Sequence, residues 1–143
     1  MKYLFILLFL QGCGVKLKQT IDPEFIYYVN HYEDTKYRLT GDYINYPISV
    51  VFGTRRHAKE IARCDIRSYT TGEKRYTIIV DKKQWEKYNS EFLRLWVIYH
   101  EMGHCDLDLP HFDSHKDIMN SSISMAKDWN EWNILVQELF IGE

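Results

Sequence analysis

The sequence predicts an α+β domain, and three observations carry that prediction. Segments near residues 22–32 and 126–141 space their apolar residues by three or four, the period of a helix with one buried face. Between them lie β-branched runs bounded by Pro, Gly and a polar loop, which read as strands. A third helical segment, from Ser90-Glu91 to Cys105, is apolar almost all round in its first half, and a helix apolar on every face is buried.

The 143 residues allow one domain with a real core. A net charge of -2 gives no electrostatic case for a nucleic-acid partner. Aromatic residues make up 15% of the chain, 11 of them tyrosines, which suits a packed domain. No repeat, low-complexity run or interdomain linker interrupts it.

Residues 1–12 read as an export signal rather than part of the fold. Lys2 is a short positive region, and Tyr3 to Leu10 is an apolar run too short to span a bilayer as a helix. Leu10-Gln11-Gly12-Cys13 resembles the lipobox of bacterial lipoproteins, which implies acylation of Cys13, export, and a membrane anchor in the cell envelope. An ordinary signal peptide is the alternative. Residues 13–21 would then be a tether, and 22–143 the domain.

Asp22, Pro23 and Glu24 are expected to open the first helix, with Asp22 as its cap and Phe25, Tyr28, Val29 and Tyr32 as its buried stripe. Gly41-Asp42 ends it. Ile48 to Phe52, Ala62 to Tyr69 and Arg75 to Val80 are the expected strands. Thr70 to Lys74 is a hairpin loop whose Gly72 supplies positive φ. The basic cluster Arg55, Arg56, His57 and Lys59 reads as a solvated face. Asp81 is placed to cap a short helix through Trp85. The last helix is expected from about Ala126 to Ile141, packing Met125, Trp129, Trp132, Val136 and Leu139 and stopping at Gly142.

Chemistry concentrates in His100-Glu101-Met102-Gly103-His104. Histidines four apart share a helix face and can grip one metal ion, and zinc suits neutral imidazole nitrogens. Glu101, beside the first ligand, can reach water rather than the metal. This is the H-E-x-x-H pattern, in which the glutamate is the general base of a zinc hydrolase. The competing reading is a buried helix with two chance histidines, each satisfied by a carbonyl. Burying this polar triplet without a ligand is costly, which favours the metal.

At this point the chain resembles the zincin metalloproteases, and among them the metzincins of matrixin type. His100, Glu101 and His104 match their motif. His111 follows His104 by seven residues where the family has six, with Leu107 and Pro110 at the family's glycine and third-histidine positions. Met119, within Asp117-Ile118-Met119-Asn120, is similar to the family's methionine turn. The resemblance spans roughly residues 45–141. It implies a zincin-like fold with a twisted sheet above the motif helix. It also implies a zinc endopeptidase acting on peptide or protein substrates, with His100, His104 and His111 as ligands and Glu101 as base. The substrate is expected to pair with an edge strand, taken as Tyr76 to Val80.

Asp108, Glu131, Glu138 and His115 compete with His111 for the third ligand position. Asp108 is also suited to a left-handed turn after the motif helix, which would move the ligand from 110 to 111. Cys64 and Cys105 are the thiols left after Cys13, and either a disulfide or two buried small side chains accounts for them. The rival functional class is a zinc-holding surface lipoprotein that binds a partner and cuts nothing. A third reading keeps the enzyme but turns it on another amide, or on itself.

Overall fold

The computed structural model describes residues 19–113, 116–123 and 125–142. The expected signal peptide, Cys13, most of the tether and His115 lie outside the described residues. The chain is α+β, with a three-stranded mixed sheet and four α-helices among the described residues. A 3-10 turn at Pro23–Phe25 leads into α1 (Ile26–Thr40). The strands are β1 (Ile48–Gly53), β2 (Ala62–Ser68) and β3 (Lys74–Asp81), followed by α2 (Lys82–Lys87), α3 (Glu91–Cys105) and α4 (Trp129–Ile141).

The strand order is β1-β3-β2, with β1 parallel and β2 antiparallel to β3. Tyr76 to Val80, expected at an edge, therefore belongs to the central strand and has no free side for a substrate. The parallel β1–β3 pairing puts β3 between its two predecessors, and local periodicity carries no information about that choice. One edge, β1, is covered: residues 20–22 run along it, with Val50 N–H donating to Thr20 O (2.8 Å) and Asp22 N–H to Val50 O (2.9 Å). Asp22 stands at the N-cap of the opening 3-10 turn, with Pro23 after it as expected, but its side chain makes no cap hydrogen bond. Its carboxylate accepts the Phe52 N–H at 2.8 Å, so the residue serves the sheet. The other edge, β2, pairs with no further described strand.

α3 is the centre of the molecule, with the sheet on one side and α1 on another. Ile48, Val50, Tyr76, Ile78 and Val80 alternate along β1 and β3 and are buried beneath it. Aromatic edges lock the layers: Tyr32 of α1 and Trp132 of α4 meet Tyr99 of α3 at 4.9 and 5.0 Å, and Phe25 meets Trp85 at 5.0 Å. α4 begins later than expected, at Trp129, because Asp128 caps it by accepting the Glu131 N–H. Its buried face is Trp132, Leu135, Val136 and Leu139. Met125 and Trp129, assigned to the stripe from spacing, are nearly half exposed. Asp81 does cap α2, accepting the Gln84 N–H.

A disulfide joins Cys64 of β2 to Cys105 of α3 across 41 residues. In the chain-entropy account a loop of that length contributes about 3–4 kcal/mol.

The end of α3 carries a charge that needs offsetting. Asp106 is buried at the helix C-terminus, where the backbone dipole disfavours an anion. It accepts from Lys36 Nζ (2.8 Å), Tyr32 Oη (2.9 Å) and the Asn45 N–H (3.2 Å), and Lys36 also donates to Tyr43 O. Proximity to this carboxylate, after burial, raises the Tyr32 phenol well above its ordinary range. The group ties α1 and the loop after it to the motif helix. Removing one partner leaves a buried charge, so Lys36→Met is expected to cost about 3–5 kcal/mol in urea unfolding, and Lys36→Met/Asp106→Leu to regain most of it. Equal stabilities for the single variant and the parent chain would show the pair to be dispensable.

Candidate metal centre

His100 and His104 stand one turn apart on α3, and the chain returns after a sharp reversal to bring His111 beside them. Asp108 makes that reversal in the left-handed region (φ 55°), the one non-glycine to do so among the described residues. The Leu109 N–H then donates to Gly103 O at 3.0 Å and closes the turn. The three Nε2 atoms form a nearly equilateral triangle, with separations of 3.0 Å (His100–His111), 3.1 Å (His104–His111) and 3.2 Å (His100–His104). His100 is buried, His104 half-buried and His111 exposed.

These short separations are not hydrogen bonds, and the ring tautomers show why. His100 Nδ1 lies 2.7 Å from Ile118 O, and His104 Nδ1 lies 2.6 Å from Leu109 O. A carbonyl only accepts, so both Nδ1 atoms carry the proton and both Nε2 atoms present bare lone pairs to each other. A proton on His111 Nε2 would answer one of them and leave the other. A cation in the middle answers all three. Four-coordinate zinc at about 2.0–2.1 Å from each nitrogen sets nitrogen–nitrogen edges of about 3.3 Å, close to those observed. The donor set therefore fits a metal ion, and the two carbonyls are the outer partners that orient ligating imidazoles.

Burial pushes His100 down to about 4, with the backbone bond to Ile118 opposing and the other two histidines adding. His104 is lowered too, chiefly by burial. Both rings are accordingly neutral at pH 7, the form a metal requires. Glu101 is buried on the same helix. Desolvation pushes its carboxyl up to about 8, opposed first by the peptide N–H of Cys64.

The segment carrying Met119 packs against the motif helix. Met119 is buried against Gly103, where an added Cβ would run into Met119 Sδ. The segment is folded back on itself by Phe112 N–H to Met119 O (3.0 Å) and by Ser121 donating to Asp113 (2.6 and 2.9 Å). Lys116 bridges to Glu131 at 2.6 Å, fastening the loop to α4. Glu131 is thereby engaged away from the histidines. Asp108 and Glu138 also stand outside the cluster of possible ligands among the described residues.

Two contributors escaped the sequence reading. Trp96, one turn before His100, stacks on its imidazole (ring centroids 4.6 Å, planes 27° apart), and its spacing of four would have found it. The carbonyls of Leu109 and Ile118 leave no sequence signal, since every residue has one. A cleft of about 550 Å³ opens over the histidines, walled by α3 and by β2 with the segment before it, and lined among others by Glu60, Arg63, Cys64, Trp96 and Glu101. It lies beside β2 rather than under β3. No family model matches the chain, and comparison with curated proteins and with solved structures found no match.

Replacing His111 by Ala removes one corner of the triangle and is expected to weaken metal binding sharply. Glu131→Ala, Glu138→Ala and His115→Ala should keep it, as read by metal content after dialysis; retention in the first with loss in another would reassign the ligand.

The lowered histidines also set a pH dependence for the metal-free domain. Their folded-state values lie below the ordinary 6.5, so the unfolded chain binds protons more readily through this range. The stability they contribute is present above about 6.5 and is lost as pH falls toward 4. Glu101, pushed up to about 8, acts in the opposite sense over the same range, so the histidine contribution is read as a difference. Between pH 7 and 5 the urea midpoint in chelator should fall more, or rise less, in the parent chain than in His100→Gln; identical slopes for the two proteins would contradict the assignment.

Proposed function

We propose that this chain is a zinc-dependent metallopeptidase in which His100, His104 and His111 hold the metal and Glu101 is the general base. The observation that carries this reading is a buried carboxylate, outside the ligand cluster, beside three converged imidazole nitrogens that open onto a cleft. A zinc ion there supplies a Lewis acid for the scissile carbonyl and lowers the pKa of water. Glu101, which a cation beside it would hold ionised against its burial, would take the proton of the attacking water and pass it to the leaving amine. A structural zinc site is usually closed by four protein ligands and has no use for such a carboxylate.

An extended polypeptide suits the cleft. The backbone bonds from Asp81 N–H to Ile61 O and from Tyr69 N–H to Glu73 O fix which β2 residues face β3. By the alternation of an antiparallel ladder, Arg63, Asp65 and Arg67 bond inward. Ala62 and Ile66 turn their main-chain groups outward, the Cys64 N–H is directed to Glu101, and all three residues line the cleft. A substrate strand can be added there, with apolar contacts to Ile61, Trp96 and Val97 and charged groups at Lys59, Glu60 and Arg63. The disulfide suits an oxidising compartment, which supports export by the segment ending at Cys13. Among the described residues no helix is long and apolar enough to cross a membrane. The attachment proposed here is lipid on Cys13.

Glu101→Gln preserves shape and leaves the nitrogens untouched. Zinc content and melting temperature should be unchanged, while hydrolysis of a peptide library falls by about 10²-fold or more. Undiminished cleavage by the zinc-loaded Gln protein would rule out this mechanism.

A further inference from the structure

β2 is the least buried strand of the sheet. Residues 62–65 are half-buried and 66–68 exposed, whereas β1 and β3 bury alternate side chains fully. Its ladder runs to β3 alone. A strand with so little buried apolar surface opens locally at low free energy. Yet this strand is the cleft wall that faces the histidines. One covalent link crosses from it to the opposite wall: Cys64 to Cys105, Cα atoms 5.6 Å apart, with Cys105 the residue after His104. The peptide N–H of Cys64 also lies against the Glu101 carboxylate.

We infer that the Cys64–Cys105 bridge is a positioning element that sets the gap between the β2 edge and the ligand-bearing helix. It holds the outward main-chain groups of Ala62 and Ile66 at a fixed distance from the metal centre, and with them any polypeptide paired to that edge. The metal ligands do not depend on it. They are oriented by Leu109 and Ile118, on the far side of the turn. This inference rests on the peptidase reading.

The test compares zinc-loaded parent chain with Cys64→Ala/Cys105→Ala on a mixed-sequence library of ten-residue peptides, well below both melting temperatures. Both proteins should hold one zinc. Without the bridge kcat/KM should fall by about tenfold or more, carried mainly by KM. In a Glu101→Gln background, where cleavage is removed, library peptides should bind about tenfold more weakly once the bridge is absent. A bridge that only stabilises the fold would lower the melting temperature and leave KM and peptide affinity unmoved; that result overturns the inference, as does loss of zinc along with activity. If the double variant does not fold, the native chain treated with a phosphine gives the same comparison. The phosphine takes oxygen from water as the S–S bond becomes two thiols. A parent chain that neither cuts nor binds peptide sinks the peptidase reading, and this inference with it. One that cuts, while the bridgeless protein keeps its KM, sinks this inference alone.

Discussion

His100 and Glu101 sit on a helix wrapped on every side, and desolvating them costs free energy that the surroundings must offset. The neighbouring structure reads as a set of answers to that cost. Two backbone carbonyls take the Nδ1 protons, Trp96 covers one imidazole, and the Cys64 peptide lies against the carboxylate. What the protein does not answer is the inner side, where bare lone pairs converge within 3.2 Å. A fold that satisfies the outer nitrogens so fully and leaves the inner ones opposed is preorganised for a cation.

That preorganisation depends on holding a loop of little regular structure in place. Residues 106–113 and 116–123 are fastened at their start by Asp106, two residues on by the left-handed Asp108, and later by Lys116 against Glu131 and Met119 under Gly103. Together the fastenings reach three elements: α1, the end of α3 and α4. The histidine on this loop is the most exposed of the three, yet its ring is brought to within 3.0 Å of the most buried. Placement here comes from the loop's tethers rather than from burial of the side chain itself.

The motif helix, the three strands and the short capped helix after them were legible because each has a local cause: a period, a β-branched run, a cap. The position of Asp108 was legible because few residues tolerate positive φ. Strand order was not. Whether β3 inserts between β1 and β2 depends on pairing across tens of residues, and the assignment of Tyr76 to Val80 as an edge failed there. Lys36 and Asp106 look like surface charges in sequence and are buried partners in space. Asp22 has every local mark of a helix cap and is spent on β1 instead, since a sheet edge nearby offered an unpaired N–H. Trp129 matched the helical spacing but lies in the first turn of α4, where the helix has not yet reached the core.

Residues 19–22 are stitched to the outer side of β1, while the cleft lies along the outer side of β2. With β3 between them and strands about 4.8 Å apart, roughly 10 Å of sheet separates the two. A load applied through the N-terminus would therefore be taken up by main-chain bonds to Val50 and side-chain bonds from Gln19 and Asp22 to Ile48 and Phe52, with the covalently clamped strand on the far side bearing none of it directly. The molecule has in effect a handle edge and a working edge. Whatever holds the chain upstream of residue 19 can pull, tilt or crowd the first without narrowing the mouth of the second.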